Sequence, residues 1–185
     1  TQAMMAPTMV IMILEEPTFD DYDITSYRNL FYGSSPMAAE WVEKSIQRFT
    51  NADVQQGYGL TETSPILTTL DADDHRNAIE SGDTSILRAA GRPLLGIDLK
   101  ILDDNGNEVP TGEAGEVCVR GPNVTPGYLN RPDENEKAFK NGWFHTGDVG
   151  RVDENGVMFL MDRKKDMIVS GGENIYTSEV EAALY

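Results

Sequence analysis

Apolar residues recur along this chain with two different periods, and the change from one to the other divides it. Between Pro7 and Pro17 a short Met/Ile-rich run reads as a core helix bracketed by prolines. Asn29-Leu30-Phe31-Tyr32 reads as a buried strand, followed by a turn with Ser35 as helix N-cap and Pro36 at the first helical position. Ala38, Trp41, Val42, Ile46 and Phe49 then repeat at helical spacing, and Asp53 to Gly57 returns to the sheet. The result is a strand-helix-strand unit. Sheets built from such units take ligands at the carboxyl ends of their strands, where the Tyr32 to Pro36 and Gly57 to Thr61 turns both fall.

After Gly91-Arg92-Pro93 the period drops to two. Ile97, Leu99 and Ile101 share one face with Asp98 and Lys100 on the other, Val117 and Val119 continue the alternation, and Asn105-Gly106 and Asn155-Gly156 are hairpin turns. The expected fold is therefore α/β. Residues 1–90 are the end of a parallel α/β subdomain, and residues 91–164 a small antiparallel β subdomain, a small sheet or distorted barrel, with Asp148 on one of its turns. Ser178 and Glu181 form a capping box for a helix over 179–184.

Composition fits an ordinary packed core, with 39% hydrophobic and 25% charged residues. The 31 acidic residues outnumber 15 basic ones, for a formal charge of −16, which argues against a nucleic-acid partner. Much of the surplus, such as Asp71 to Asp74 with His75 beside it, reads as solvated loop. The longest apolar run, Met9 to Leu14, is far short of the roughly 20 residues that cross a bilayer, so no membrane span and a cytoplasmic location are expected. A lone cysteine, Cys118, sits in an alternating strand as a packing residue. His75 and His145 show no cysteine or acidic spacing of a zinc site, and no structural metal is expected.

The peptide Gln56-Gly57-Tyr58-Gly59-Leu60-Thr61-Glu62-Thr63 carries the densest chemistry. Gly57 and Gly59 allow close backbone approach, Tyr58 offers a flat face to a purine, Thr61 can donate to a phosphate oxygen, and Glu62 can hold Mg²⁺. A tight turn after a buried strand, with Glu62 solvated, explains the same residues. Trp143-Phe144-His145-Thr146-Gly147-Asp148 adds a carboxylate suited to ribose hydroxyls. Asp162-Arg163-Lys164-Lys165-Asp166 then leads through a short strand to Ser170-Gly171-Gly172-Glu173-Asn174, a basic cluster followed by a glycine loop.

In this order and at these separations, the motifs resemble the adenylate-forming superfamily of acyl-CoA synthetases, luciferases and adenylation domains. The Tyr32-Gly33-Ser34-Ser35-Pro36 turn and the strand Gly115-Glu116-Val117-Cys118-Val119-Arg120-Gly121 match further landmarks, so the resemblance covers essentially the whole chain. The wording of the last two motifs is most similar to fatty-acyl-CoA ligases. The family's phosphate loop and distal catalytic lysine are absent, so the chain is expected to be an internal fragment, inactive alone. Its Pro7 to Leu14 helix resembles a wall of the acyl pocket.

The resemblance implies an enzyme that joins a carboxylic acid, here a fatty acid, to the α-phosphate of ATP and passes the acyl group to CoA. It implies that Thr61 bonds the α-phosphate and Glu62 ligates Mg²⁺. Tyr58 with Gly33, Ser34 and Ser35 would enclose adenine, Gln56, Gly57 and Gly59 would also bind ATP or AMP, and Asp148 with Arg163 would hold ribose. Lys165 occupies the hinge position, residues 165–185 would be the hinge and start of a small α+β C-terminal domain, and Ser170, Gly171 and Gly172 would approach CoA. An aryl-CoA ligase, a carrier-protein adenylation domain and a non-catalytic nucleotide-binding remnant are the alternatives.

Overall fold

The computed structural model describes residues 1–35, 37–170 and 173–176. The chain divides into two compact units, one of Thr1–Gly59 with Ile66–Arg92, the other of Leu60–Pro65 with the chain from Pro93 onward.

The first unit is built on a parallel sheet. Strands β1 (Gln2–Met5), β2 (Asn29–Gly33) and β3 (Asp53–Tyr58) lie side by side and parallel, and β4 (Thr68–Leu70) adds antiparallel to β3. Helix α1 (Pro7–Leu14) links β1 to β2, and α2 (Ala39–Arg48) links β2 to β3. This is the expected strand-helix-strand unit. Val10, Leu30, Val42 and Leu70 are wholly removed from water, each worth about 1.5–3 kcal/mol of burial. Phe49 at the end of α2 packs edge-on against Phe19 and Tyr27, both at 5.7 Å between centroids.

Two expectations fail in this unit. Helix α2 starts at Ala39 with Ala38 as an N-cap that has no capping side chain, so Ser35 is not the cap, and Pro36 lies outside the described residues. Asp71 to His75 is not a loop. Asp71 caps helix α3 (Ala72–Ser81) by accepting from the Asp74 amide at 2.9 Å, Asp73 and Asp74 occupy the favourable first turn, and His75 is buried. The acidic run is a helix start, with Gly82 in the left-handed conformation closing the other end.

A two-residue strand, β5 (Arg92–Pro93), ends the first sheet where the chain enters the second unit. The second sheet is antiparallel. Its order is β10 (Met158–Arg163), β9 (Trp143–Val152), β7 (Gly115–Arg120) and β6 (Asp98–Leu102), with a short β8 (Phe139–Lys140), preceded by α4 (Pro132–Ala138), pairing against β9. The sheet is open: among the described residues β10 and β6 are its two ends and are not paired with each other, so it is the expected small sheet and not the distorted barrel. Central β7 is covered on both faces, which leaves Val117, Cys118 and Val119 all fully buried.

The two Asn-Gly turns form as expected and are alike. Asp103 Oδ1 accepts from the amides of Asn105 and Asn107, and Asp153 Oδ1 from those of Asn155 and Val157. Beyond β10, strand β11 (Ile168–Ser170) pairs antiparallel with β12 (Glu173–Ile175). The helix expected over 179–184 lies outside the described residues. Among those residues no helix is long and apolar enough to cross a membrane.

Two glycines with positive φ give a stability test. A Cβ on Gly91 (φ +89°) would strike the Thr69 carbonyl, whereas one on Gly82 (φ +75°) meets open space. Gly82→Ala is expected to cost about 1 kcal/mol, the backbone strain alone, and Gly91→Ala at least about 3 kcal/mol. Urea unfolding of both variants compares them, and equal costs would refute the steric argument.

Candidate functional site

In the first unit the two glycine turns lie side by side. Gly33 and Gly57 are the last registered pair of β2 and β3 at the carboxyl ends of those strands. A Cβ on Gly33 would come within 2.5 Å of the Gly57 carbonyl oxygen, and one on Gly57 would collide with the Phe31 ring. Strand packing thus requires Gly33, which faces backbone, while a side chain at Gly57 would have to displace the Phe31 ring. Immediately beyond, Ser34 is held at φ +75°, an unusual conformation for a residue with a side chain, and both Ser34 and Ser35 are exposed. Gln56, Tyr58 and Gly59 are half-buried on the adjoining strand end.

Beneath these turns sits a buried polar network that sequence reasoning missed. The Tyr32 phenol lies 3.0 Å from His75 Nε2 and 3.2 Å from Gln56 Oε1, and His75 Nδ1 lies 2.6 Å from the Asp71 carbonyl. A carbonyl only accepts, so Nδ1 carries the imidazole proton and Nε2 is left to accept. The phenol has one proton to share between Nε2 and Gln56 Oε1, and burial favours the neutral ring that can accept it. Burial lowers the pKa of His75, against the opposing pull of the Asp71 carbonyl and the Asp74 and Asp71 charges. Burial raises that of Tyr32, which keeps its proton.

In the second unit, Thr61–Thr63 form one 3₁₀ turn. The buried Thr63 hydroxyl accepts from the Leu60 amide at 2.9 Å, and Asn123 Nδ2 donates to the Thr63 carbonyl at 2.7 Å. Thr61 is exposed. Glu62 is held twice, since its carbonyl accepts from the Thr125 amide at 2.7 Å and its Oε1 from the Tyr128 phenol at 2.8 Å. Burial and the bond to Glu62 push the Tyr128 pKa up to about 12. The solvated Glu62 of the bland reading is thus replaced by an oriented one. Tyr128 stands 66 positions away, and no local pattern announces it.

Asp148 does not lie on a turn. It belongs to β9, at a place where one residue of β7, Val117, faces three of β9, Thr146, Gly147 and Asp148. The Thr146 hydroxyl closes this bulge, donating to the Val117 carbonyl at 2.8 Å and accepting from the Asp148 amide at 3.1 Å. Across the sheet a second irregularity, between Leu160 and Asp162 of β10, sets Arg163 opposite Asp148. The guanidinium Nε is 3.4 Å from Asp148 Oδ1, and the side chains are 58% and 10% exposed. A shielded carboxylate beside an exposed cation can take neighbouring hydroxyls of a sugar. Bulges commonly re-aim side chains in this way.

Glu116 lies next to this bulge. Its Oε1 accepts from the Gly147 amide at 3.3 Å, and its Oε2 takes His145 Nδ1 at 3.1 Å and Lys164 Nζ at 3.3 Å. Burial opposes its ionisation, but the bond from His145 and the charge of Lys164 outweigh it and hold the carboxyl below its usual range. Cys118 Sγ is 3.3 Å from the same imidazole nitrogen, so Glu116, Cys118 and His145 come together although their spacing suggested no cluster. Burial, with Glu116 nearby, pushes the thiol up to about 12. The sulfur stays protonated, and the cation at the cluster is the Lys164 ammonium. A cavity of about 230 Å³ adjoins it, lined by Lys100, Lys140, Trp143, His145, Glu116 and Lys164 among others, and neither Asp148 nor Arg163 lines it. Lys165 is exposed, Ser170 pairs with Glu173 in the last hairpin, and Gly171 and Gly172 lie outside the described residues.

A profile of the AMP-binding enzyme family matches residues 1–129. A medium/long-chain fatty-acid–CoA ligase of Mycobacterium tuberculosis is 39% identical over 98% of this chain and 30% of its own length. A feruloyl-CoA synthase of an Amycolatopsis species is 40% identical over 97% of this chain and 34% of its own. The solved structure of the o-succinylbenzoate coenzyme A synthetase of Bacillus subtilis in complex with ATP and magnesium ion superposes with a TM-score of 0.84. It shares 37% identity and covers 100% of this chain and 36% of that one. The chain thus spans about a third of the length of these relatives.

The neutral His75 gives a pH signature with a definite sign. Its folded pKa lies below the unfolded value, so the unfolded chain binds the extra proton first as pH falls. The stability from the neutral ring is complete above about pH 6.5 and declines below it. His75→Gln keeps an amide near Tyr32 but cannot titrate. The wild type is expected to lose more of its urea midpoint than His75→Gln between pH 7.5 and 5.5, and parallel losses would exclude His75 as the source.

Proposed function

Because the chain belongs to the AMP-binding enzyme family, we propose that the protein carrying it activates a fatty acid with ATP and transfers the acyl group to CoA. In the first step a carboxylate oxygen attacks the α-phosphorus, and pyrophosphate leaves. In the second the CoA sulfur attacks the acyl carbon, its proton is lost to solvent, and AMP leaves. A carboxylate is already ionised at neutral pH, so the first step asks for alignment and charge neutralisation, with no general base. The observation that carries this reading is the shielded Asp148 carboxylate set beside Arg163 by the bulges of β9 and β10.

Each residue then takes a role. Gly33, Ser34, Ser35 and Tyr58 are assigned to adenine, Gln56, Gly57 and Gly59 to the same nucleotide, Asp148 and Arg163 to ribose, and the exposed Thr61 hydroxyl to the α-phosphate. Glu62 suits Mg²⁺, being an oxygen ligand already oriented by Tyr128 and by the bond at its own carbonyl. When bound, that ion would neutralise charge on phosphate oxygens. Lys165 is assigned as the hinge at the end of a body spanning 91–164, with residues 165–185 opening a further domain in which Ser170, Gly171 and Gly172 approach CoA. ATP and CoA as co-substrates suit a cytoplasmic protein. The near-equal identity to the feruloyl-CoA synthase supports a second reading, in which the acid is aromatic.

The test is ATP–pyrophosphate exchange by the complete gene product with acetate, octanoate, palmitate and 4-coumarate, followed by CoA. Exchange and thioester formation with octanoate or palmitate are expected, and selective use of 4-coumarate would favour the aromatic reading. No exchange with any acid would sink the catalytic assignment and leave a nucleotide-binding remnant. In the active enzyme, Asp148→Asn is expected to raise the KM for ATP by about 10-fold to 100-fold, the loss of charge-assisted bonds to a sugar, and Glu62→Gln to raise the magnesium concentration that half-saturates exchange. An unchanged KM in Asp148→Asn would remove Asp148 from the ribose role.

A further inference from the structure

We propose that Glu116 is a positioning residue for the ribose pair: its carboxylate clamps Gly147 and Lys164, the chain neighbours of Asp148 and Arg163, and thereby fixes both. The inference rests on the ribose reading of those two side chains. Gly147 is gripped at both ends, its amide donating to Glu116 Oε1 at 3.3 Å and its carbonyl accepting from the Lys164 amide at 2.8 Å. Lys164 is gripped through that amide and through its ammonium, which reaches Glu116 Oε2 at 3.3 Å and Asp104 Oδ1 at 2.7 Å. His145, two residues before Gly147, gives the same carboxylate a third donor at 3.1 Å.

The geometry matters because of where the bulge falls. Three residues of β9 stand against Val117, so the regular ladder does not fix Gly147, whose φ of +75° leaves it outside strand conformation. The Thr146 hydroxyl closes one side of the bulge, and Glu116 the other. Asp148 is the next residue on one strand and Arg163 the preceding residue on the other. A carboxylate joined to both Gly147 and Lys164 therefore sets the distance between the two ribose contacts without touching the sugar. Lys165 is the first residue past the clamp. A rotation there would leave Arg163 with Asp148, so the ribose contacts would survive a change of state that moves the following loop.

A carboxylate that only satisfied its own ion pair would affect stability alone, and this distinguishes the two accounts. In the complete gene product, Glu116→Gln is expected to raise the KM for ATP in pyrophosphate exchange about tenfold, with kcat within about threefold. Hydrogen exchange at the Gly147 amide should accelerate about tenfold as its bond to a charged acceptor weakens. Lys164→Met, which keeps the backbone bond, should shift both readouts in the same direction by less, and serves as the test if Glu116→Gln does not fold.

A Glu116→Gln protein with lowered melting temperature but wild-type ATP KM and Gly147 exchange would overturn the proposal. If the wild type shows no turnover of ATP, the functional reading fails by itself. The Gly147 amide then decides the clamp: exchange unchanged in both Glu116→Gln and Lys164→Met would refute it.

Discussion

A carboxylate shielded from water must be compensated, and the second unit is organised around one that is. Glu116 has a side chain only 13% exposed, and removing such a charge from solvent costs several kcal/mol unless donors replace the water. Three donors do so, from His145, Gly147 and Lys164, and each comes from a different point along the chain. This requirement joins β7 to the irregular part of β9 and to the turn after β10. The cluster of sulfur, imidazole and carboxylate has the donor types of a metal site, and an ammonium stands beside its carboxylate. Lys164 bridges Glu116 at 3.3 Å and Asp104 at 2.7 Å.

The first unit meets the same constraint without formal charge. Tyr32 and His75 are buried polar residues 43 positions apart, and each supplies what the other lacks. The phenol has a proton and the neutral imidazole has a lone pair, while the Asp71 carbonyl fixes which nitrogen is which. Because Asp71 is also the N-cap of α3, the cap, the ring tautomer and the strand carrying Gly33 are parts of one arrangement. Neighbouring Gly33 and Gly57 leave no room for side chains at the strand ends, so the exposed serines that follow start from a fixed backbone.

The sequence made most of this fold legible where periodicity is local. The strands around Leu30 and Val54, helix α2 between them, and both Asn-Gly turns stand where the pattern puts them, because each depends on residues within one turn or one strand. Helix α3 was missed for a physical reason. Ala72 to Ser81 holds few apolar residues, and its signal is the Asp71 cap with acids in the first turn, easily mistaken for a solvated acidic run. The partners of the candidate site were not legible either. Tyr128 reaches Glu62 and Lys164 reaches Glu116 across 66 and 48 positions, and such pairings are set by sheet register, which a single sequence does not display. Alternation carries no information about closure, which is why the pattern leaves a small sheet and a distorted barrel both open.

Register also explains why Asp148 stands opposite Arg163. The Asn155-Gly156 turn pairs Val152 with Met158, and the ladder runs on regularly to Gly150 opposite Leu160. Continued without interruption, that count would set Asp148 opposite Asp162, two carboxylates directly across a strand pair, which is destabilising. The one-residue irregularity before Asp162 shifts the count and puts Arg163 there instead. Since side chains alternate with period two, the same slip exchanges which face of β10 each later residue presents. The bulge in β10 therefore converts a repulsive pair into an attractive one, while the bulge in β9 lifts Asp148 out of the ladder with β7. Both irregularities fall at the carboxylate that Arg163 meets at 3.4 Å, so the defects of this sheet and its candidate site share the same residues.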